Sequence, residues 1–192
     1  MEQQIRDYLS SSFDIRRLGR KESIESFDCG DADLNDFILK ESILYRQALL
    51  AVSYVMESKK DGHPISAYFS MANDKVSLSD FESKTEFNRF RKHRFVNEKR
   101  LKSYPAVKIC RLGVDLSMKG QHIGTFLLNF IKSYFIINNK TGCRFLTVDA
   151  YANAIPFYLK NGFVLLNDED ADAATRLLYF DLATIADEDF NE

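Results

Sequence analysis

The chain has 192 residues, 45% apolar and 28% charged, and a formal net charge of −2, a balance that fits one folded domain over 1–192 and excludes a disordered or fibrous chain. No apolar run approaches the roughly 20 residues that span a bilayer, and Met1-Glu2-Gln3-Gln4-Ile5-Arg6-Asp7 has no signal-peptide pattern, so a cytoplasmic location without membrane contact is expected. Cys29, Cys110 and Cys143 stand apart without a C-x-x-C spacing, and His63, His93 and His122 are equally scattered, so reduced thiols and no metal site are expected.

Phe13-Asp14-Ile15-Arg16-Arg17-Leu18 alternates as a first strand does. Phe27-Asp28-Cys29-Gly30-Asp31 then makes a turn in which Asp31 or Asp33 can cap the next helix. That helix carries an apolar stripe of Leu34, Phe37, Ile38, Leu44 and Tyr45. Leu50 to Met56 and Ile65 to Met71 read as strands, and Lys59-Lys60-Asp61-Gly62-His63-Pro64 between them is a strong turn signal for a hairpin. Leu78 to Lys102 reads as a charged helix, and from Asp80 to Lys102 eight bases stand against four acids. Phe81, Phe87, Phe90 and Phe95 interleave with them, as residues that pin the segment to a core rather than stack on bases. From Asp168 to Glu192 the balance reverses, with nine acids and Arg176 the sole base. Such blocks form a solvated face or a surface for an oppositely charged partner.

A strand over Val107 to Asp115 follows the basic segment, then a glycine-bearing turn and a helix to about Asn138. Arg144 to Ala150 is a further strand. A short helix over Asn153 to Lys160, with Pro156 tolerated near its start, ends at Asn161-Gly162. Two strands close the chain, near Phe163–Leu166 and Arg176–Leu182. The order β-α-β-β-α-β-α-β-α-β-β predicts an α/β (α+β) domain with a mixed sheet and helices on its faces.

The turn Lys119-Gly120-Gln121-His122-Ile123-Gly124-Thr125 joins strand to helix. A helix start presents several unpaired backbone N–H groups to one point, at the positive end of the helix dipole. That geometry binds phosphate or pyrophosphate. Many strand–turn–helix corners use glycine only to turn, so this segment alone leaves both readings open.

Three landmarks in this order resemble the GNAT superfamily of acyl-CoA N-acyltransferases. They are the strand end Arg111-Leu112-Gly113-Val114-Asp115, a loop similar to that family's (Arg/Gln)-x-x-Gly-x-(Gly/Ala) motif, and Ala154-Ile155-Pro156-Phe157-Tyr158-Leu159-Lys160-Asn161-Gly162-Phe163. Phe27-Asp28-Cys29-Gly30 followed by Leu34-Asn35-Asp36-Phe37, together with Tyr104-Pro105-Ala106-Val107, is similar to one subgroup, the GNAT toxins that acetylate aminoacyl-tRNA. The resemblance implies a mixed, mostly antiparallel sheet of six to seven strands, flanked by about four helices, with a splayed central strand pair. Residues 79–102 would then be a basic helical insertion.

The resemblance further implies acetyl-CoA as co-substrate. Backbone groups of Leu112, Gly113 and Val114 would meet its pantetheine arm and polarise the thioester carbonyl, and Lys119, Gly120, Gln121, His122, Ile123, Gly124 and Thr125 would cradle the pyrophosphate. Tyr158 matches the family tyrosine that protonates the leaving thiolate, a role open to a phenol because its pKa of about 10 lies near that of a thiol, about 8.5 for Cys. Asn153 is a candidate for the pantetheine arm and equally a helix cap. Lys119 and His122 depart from the family pattern. His122 is expected to have a helical φ, so that glycine is not required there, and its imidazole can add charge near the phosphates. Asp115 reads as a turn-maker, and no catalytic base is named. In the toxin subgroup the acceptor is aminoacyl-tRNA, for which Arg89, Arg91, Lys92 and Arg94 are the candidate contacts, and a homodimer and a ribbon-helix-helix antitoxin are the partners. The acidity of the whole chain counts against a dedicated nucleic-acid binder. Small-molecule or protein amines are the alternative acceptors, and the departures at Lys119 and His122 motivate a non-catalytic CoA-binding or regulatory module. A dinucleotide-binding enzyme fits less well, because its glycine motif belongs early, after a first strand.

Overall fold

The computed structural model describes residues 2–60, 62, 64–137, 141–167 and 174–185. It opens with helix α1 (Glu2–Ser12) and strand β1 (Phe13–Arg17). Helix α2 (Ala32–Asp36) runs through one π-helical turn (Phe37–Glu41) into α3 (Ser42–Gln47), and the hairpin strands β2 (Val52–Ser58) and β3 (Ile65–Ser77) follow. Then come α4 (Lys84–Lys92), β4 (Ser103–Val114), α5 (Ile123–Ile136), β5 (Phe145–Tyr151), α6 (Ile155–Lys160), β6 (Val164–Leu165) and β7 (Thr175–Asp181). The strand order is β1-β2-β3-β4-β5-β7-β6. β1/β2, β2/β3, β5/β7 and β6/β7 pair antiparallel, while β4/β5 is parallel. The sheet is therefore mixed and mostly antiparallel, as expected. No helix among the described residues is long and apolar enough to cross a membrane.

The chain divides into two compact units, 1–72 with 109–131 and 73–108 with 132–192, and the long strands β3 and β4 run through both. In the first, Asp31 caps α2 by accepting the Leu34 N–H at 3.1 Å. The helical run then buries Phe37 and Ile38 with Leu18, Phe27, Cys29, Val55 and Tyr68. Period-two alternation along β3 sends Tyr68 into that cluster and Phe69 to the other face, where it stacks on Tyr54 at 5.0 Å and meets Phe130 of α5 at 6.1 Å. Buried Arg46 ties α3 to the chain after β1, donating to the carbonyls of Gly19 (3.0 Å) and Glu22 and to Ser42 Oγ (2.9 Å).

The second unit corrects one expectation. Leu78 to Lys102 is not one helix: α4 is flanked by 3₁₀ turns at Leu78–Asp80 and Asn97–Lys99. The cause lies in its serines. Ser77 and Asp80 form a capping box that closes on itself, and Ser83 Oγ accepts the Glu86 N–H at 3.2 Å, starting α4 afresh. The interleaved aromatics do pin the segment: Phe87 and Phe90 are buried with Val76, Tyr104, Phe145 and Tyr179, and Phe81 and Phe95 pack at the edge.

Candidate active site

In the first unit the last part of β4 leads into the glycine-bearing loop. Parallel pairing of β4 with β5 covers only Ala106↔Phe145, Val107↔Leu146 and Lys108↔Thr147. Beyond Lys108, β4 continues to Val114 with no β5 partner among the described residues. That leaves Leu112, Gly113 and Val114 outside the β4–β5 ladder. Gly113 sits here because nothing larger fits: a Cβ would lie 2.7 Å from the Tyr68 ring and 3.2 Å from that of Phe27. Leu112 and Val114 on either side of it are half-buried.

Asp115 then makes a turn. Its carboxylate accepts the Ser117 N–H (2.9 Å) and hydroxyl (2.6 Å), and its own N–H donates to the Ser66 carbonyl at 3.0 Å. The 3₁₀ turn Leu116–Met118 delivers Lys119, Gly120, Gln121 and His122, all exposed. Gly120 has φ +80° and His122 φ +59°. The expected helical φ at His122 is thus wrong. The chain must reverse into α5 within four residues, and α5 begins only at Ile123, so position 122 belongs to the turn. The first bond of α5 runs from the Phe126 N–H to the His122 carbonyl at 3.0 Å. The amides of Ile123, Gly124 and Thr125 therefore have no acceptor within the helix. Ser117, Met118 and Gln121 also line a cleft of about 820 Å³ within this unit, with Phe27, Asp28 and Ile65.

In the second unit Tyr158 lies on α6, only 6% exposed, with its ring edge-on to Phe157 (5.2 Å) and Phe163 (5.4 Å). Burial pushes its phenol up to about 12. Asn153 is exposed, and α6 starts after Ala154 with no side-chain cap, so the capping alternative for Asn153 does not hold. Asn161 and Gly162 end α6, the latter at φ +82°. Sequence reasoning overlooked Lys132, whose one signal is a lone cation in the apolar run Phe130-Ile131-Lys132. Its Nζ donates to the Asn161 carbonyl at 2.7 Å and lies 3.9 Å from the Phe180 ring centroid. Burial pulls its ammonium down to about 8.

The four basic candidates divide. Arg91 donates to the carbonyls of Arg100 (3.2 Å) and Leu101 (3.1 Å) and lies over Phe87. Arg94 stacks on Phe90 at 4.1 Å and donates to the Tyr179 hydroxyl. Both are tied into the fold, whereas Arg89 and Lys92 are exposed.

Residues 85–181 match the family model of the GNAT acetyltransferase domain. Among solved structures, a tyrosine-to-phenylalanine variant of KacT superposes with a TM-score of 0.73 at 23% identity, covering 92% of this chain and 99% of that one. AtaT in complex with acetyl-methionyl-tRNAfMet gives 0.68 at 22% identity, over 90% of this chain and 96% of that one. AtaTR bound with acetyl-CoA gives 0.68 at 22% identity, over 91% and 96%. At these identities the likeness to the solved structures is one of fold.

Proposed function

This chain belongs to the GNAT acetyltransferase family and takes acetyl-CoA as its acyl donor, and we propose that the acceptor is the amino group of an aminoacyl-tRNA. One observation carries the acceptor: nine-tenths of the chain shares its fold with AtaT, which has been seen with acetyl-methionyl-tRNAfMet. The exposed cations Arg89 and Lys92 on α4 support it.

The residues of the loop fit a diphosphate. The amides of Ile123, Gly124 and Thr125 have no acceptor within the helix there, and a Cβ at Gly120 would meet nothing within 4 Å, so a ligand can approach the backbone. In this reading Lys119 to Thr125 hold the pyrophosphate, and the unpaired edge at Leu112, Gly113 and Val114 hydrogen-bonds the pantetheine arm and the thioester oxygen. Asn153, exposed ahead of α6, is assigned to the same arm. Acetyl-CoA supplies the activated thioester that the acceptor amine attacks. Tyr158 donates its hydroxyl hydrogen to the departing sulfur. A phenol near 12 is protonated throughout the physiological range but lies well above a thiol, about 8.5. Its part is hydrogen-bond donation as the carbon–sulfur bond breaks, with solvent completing the protonation. No base is assigned, since Asp115 is occupied by Ser117; the amine attacks in its neutral form and releases its proton to solvent as the amide forms.

Tyr158→Phe should lower kcat by about 10²- to 10³-fold with acetyl-CoA affinity unchanged in calorimetry; unaltered turnover would remove Tyr158 from this role. The acceptor is tested by acetyl transfer to charged tRNA, polyamines and peptides in parallel at low salt. Acetylation of a polyamine or peptide without aminoacyl-tRNA would overturn the reading. A homodimer and a ribbon-helix-helix antitoxin complete the proposal; AtaT bound to the C-terminus of the antitoxin AtaR supports an antitoxin partner alone. Sedimentation of the purified chain tests the dimer, and a search of the gene immediately upstream for a small ribbon-helix-helix protein tests the antitoxin.

A further inference from the structure

The motif Phe27-Asp28-Cys29-Gly30 with Asn35 is absorbed by no catalytic step, yet it touches the loop assigned to the pyrophosphate. The Asp28 carbonyl accepts the Leu116 N–H at 2.9 Å. The Asp28 carboxylate accepts the Gly30 N–H and Asn35 Nδ2, each at 2.8 Å. Asn35 Oδ1 in turn accepts the Cys29 N–H (2.9 Å) and lies 3.2 Å from its thiol. These bonds fold the motif around Asn35, with Gly30 at φ +79°. A Cβ on Gly30 would lie 3.1 Å from Leu116 Cδ2 and 3.5 Å from Lys119 Nζ, so the turn is in contact with the 3₁₀ turn from which Lys119 springs. The Gly30 and Asn35 donors, with the nearby Lys119 ammonium, hold the Asp28 carboxyl below the usual carboxylate range.

We propose that the Asp28–Gly30 turn, locked by Asn35, is a positioning element for the phosphate loop, setting the turn Leu116–Met118 and the ammonium of Lys119. Asp28 is fully exposed, and hydrogen bonds in water add little to stability. What they fix here is geometry. A diphosphate cradle is sensitive to that geometry, because its amides must converge on one point. The proposal rests on the assignment of Lys119 to Thr125 to the pyrophosphate.

The test uses Gly30→Ala, which drives a methyl group at Leu116, and Asn35→Asp, which sets two carboxylates face to face. Each should raise the acetyl-CoA Kd and KM at least tenfold while kcat at saturating acetyl-CoA stays within about threefold. Both variants should keep the wild-type far-UV circular dichroism and elution volume, which separates a mis-set loop from an unfolded chain. Wild-type Kd in both single variants, with any effect confined to Tm, overturns the proposal. Gly124→Val separates the premise: if it leaves Kd unchanged, the loop assignment itself fails. If Gly124→Val weakens binding but the motif variants do not, only the positioning role fails. Should Gly30→Ala fail to fold, Asn35→Asp decides alone.

Discussion

His122 holds a left-handed φ of +59° at the residue whose carbonyl starts α5. For an L-residue that conformation costs about 1–2 kcal/mol, although His is among the types that tolerate it. Glycine would remove the strain but adds about 0.5–1 kcal/mol of unfolded-chain entropy. His122→Gly should therefore be neutral to stabilising by up to about 1.5 kcal/mol, which raises Tm by at most about 6 °C at this chain length. Acetyl-CoA affinity should hold or improve, because the amides of Ile123 to Thr125 keep their place and the approach becomes less crowded. His122→Val, a β-branched residue in the same conformation, should lose stability instead. Thermal melts of the two variants, with calorimetry for acetyl-CoA, check this. A His122→Gly protein that melts lower would show that the imidazole makes contacts worth more than the strain.

At the scale of elements, α6 shows how one buried cation can terminate a helix. Lys132 of α5 donates to the Asn161 carbonyl at the negative end of α6 and rests on Phe180. Burial lowers its pKa from 10.5 to about 8. The unfolded chain keeps its proton up to 10.5, so between those values it binds more protons than the fold does, and stability rises with pH across that window. The gain is on the order of 3 kcal/mol. Denaturant unfolding at pH 7, 8, 9 and 10 should show wild type gaining on Lys132→Met by that order; a constant difference would refute it. Such a contact could not be foreseen, because a lone lysine in an apolar helix says nothing of what lies across from it. Elements with strong periodicity were foreseeable, from the Phe13–Arg17 strand to the helix after His122. α1 was not, since only Ile5, Tyr8 and Leu9 carry helical spacing in it. β3 runs to Ser77 through Asn73, Asp74 and Lys75, which break the apolar pattern. The end of β4–β5 pairing after Lys108 was expected from the family likeness rather than from residue spacing, which does not record where two strands part. The φ of His122 was misjudged for a related reason: it is set by closure of the loop, not by the residue.

Across the whole molecule, a net charge of −2 would have to coexist with the polyanionic acceptor proposed above. Local charge resolves the conflict if a few exposed cations face the phosphates while others serve the fold. Arg91 and Arg94 are engaged by backbone carbonyls, aromatic rings and the Tyr179 hydroxyl, which leaves Arg89 and Lys92 of the four for phosphate. Each phosphate contact contributes about −0.7 to −0.9 to the slope of log K against log salt. Arg89→Glu combined with Lys92→Glu should therefore flatten the salt dependence of aminoacyl-tRNA binding by about 1.4–1.8 and raise KM for that acceptor. Binding of acetyl-CoA should not change, since its proposed contacts lie in β4 and the glycine loop. Arg94→Ala should do the reverse, lowering Tm through lost packing on Phe90 and Tyr179 with little effect on the slope. Filter binding from 50 to 300 mM salt, alongside thermal melts, distinguishes the two kinds of arginine. An unchanged slope in the Arg89 and Lys92 variant would move the tRNA surface away from α4.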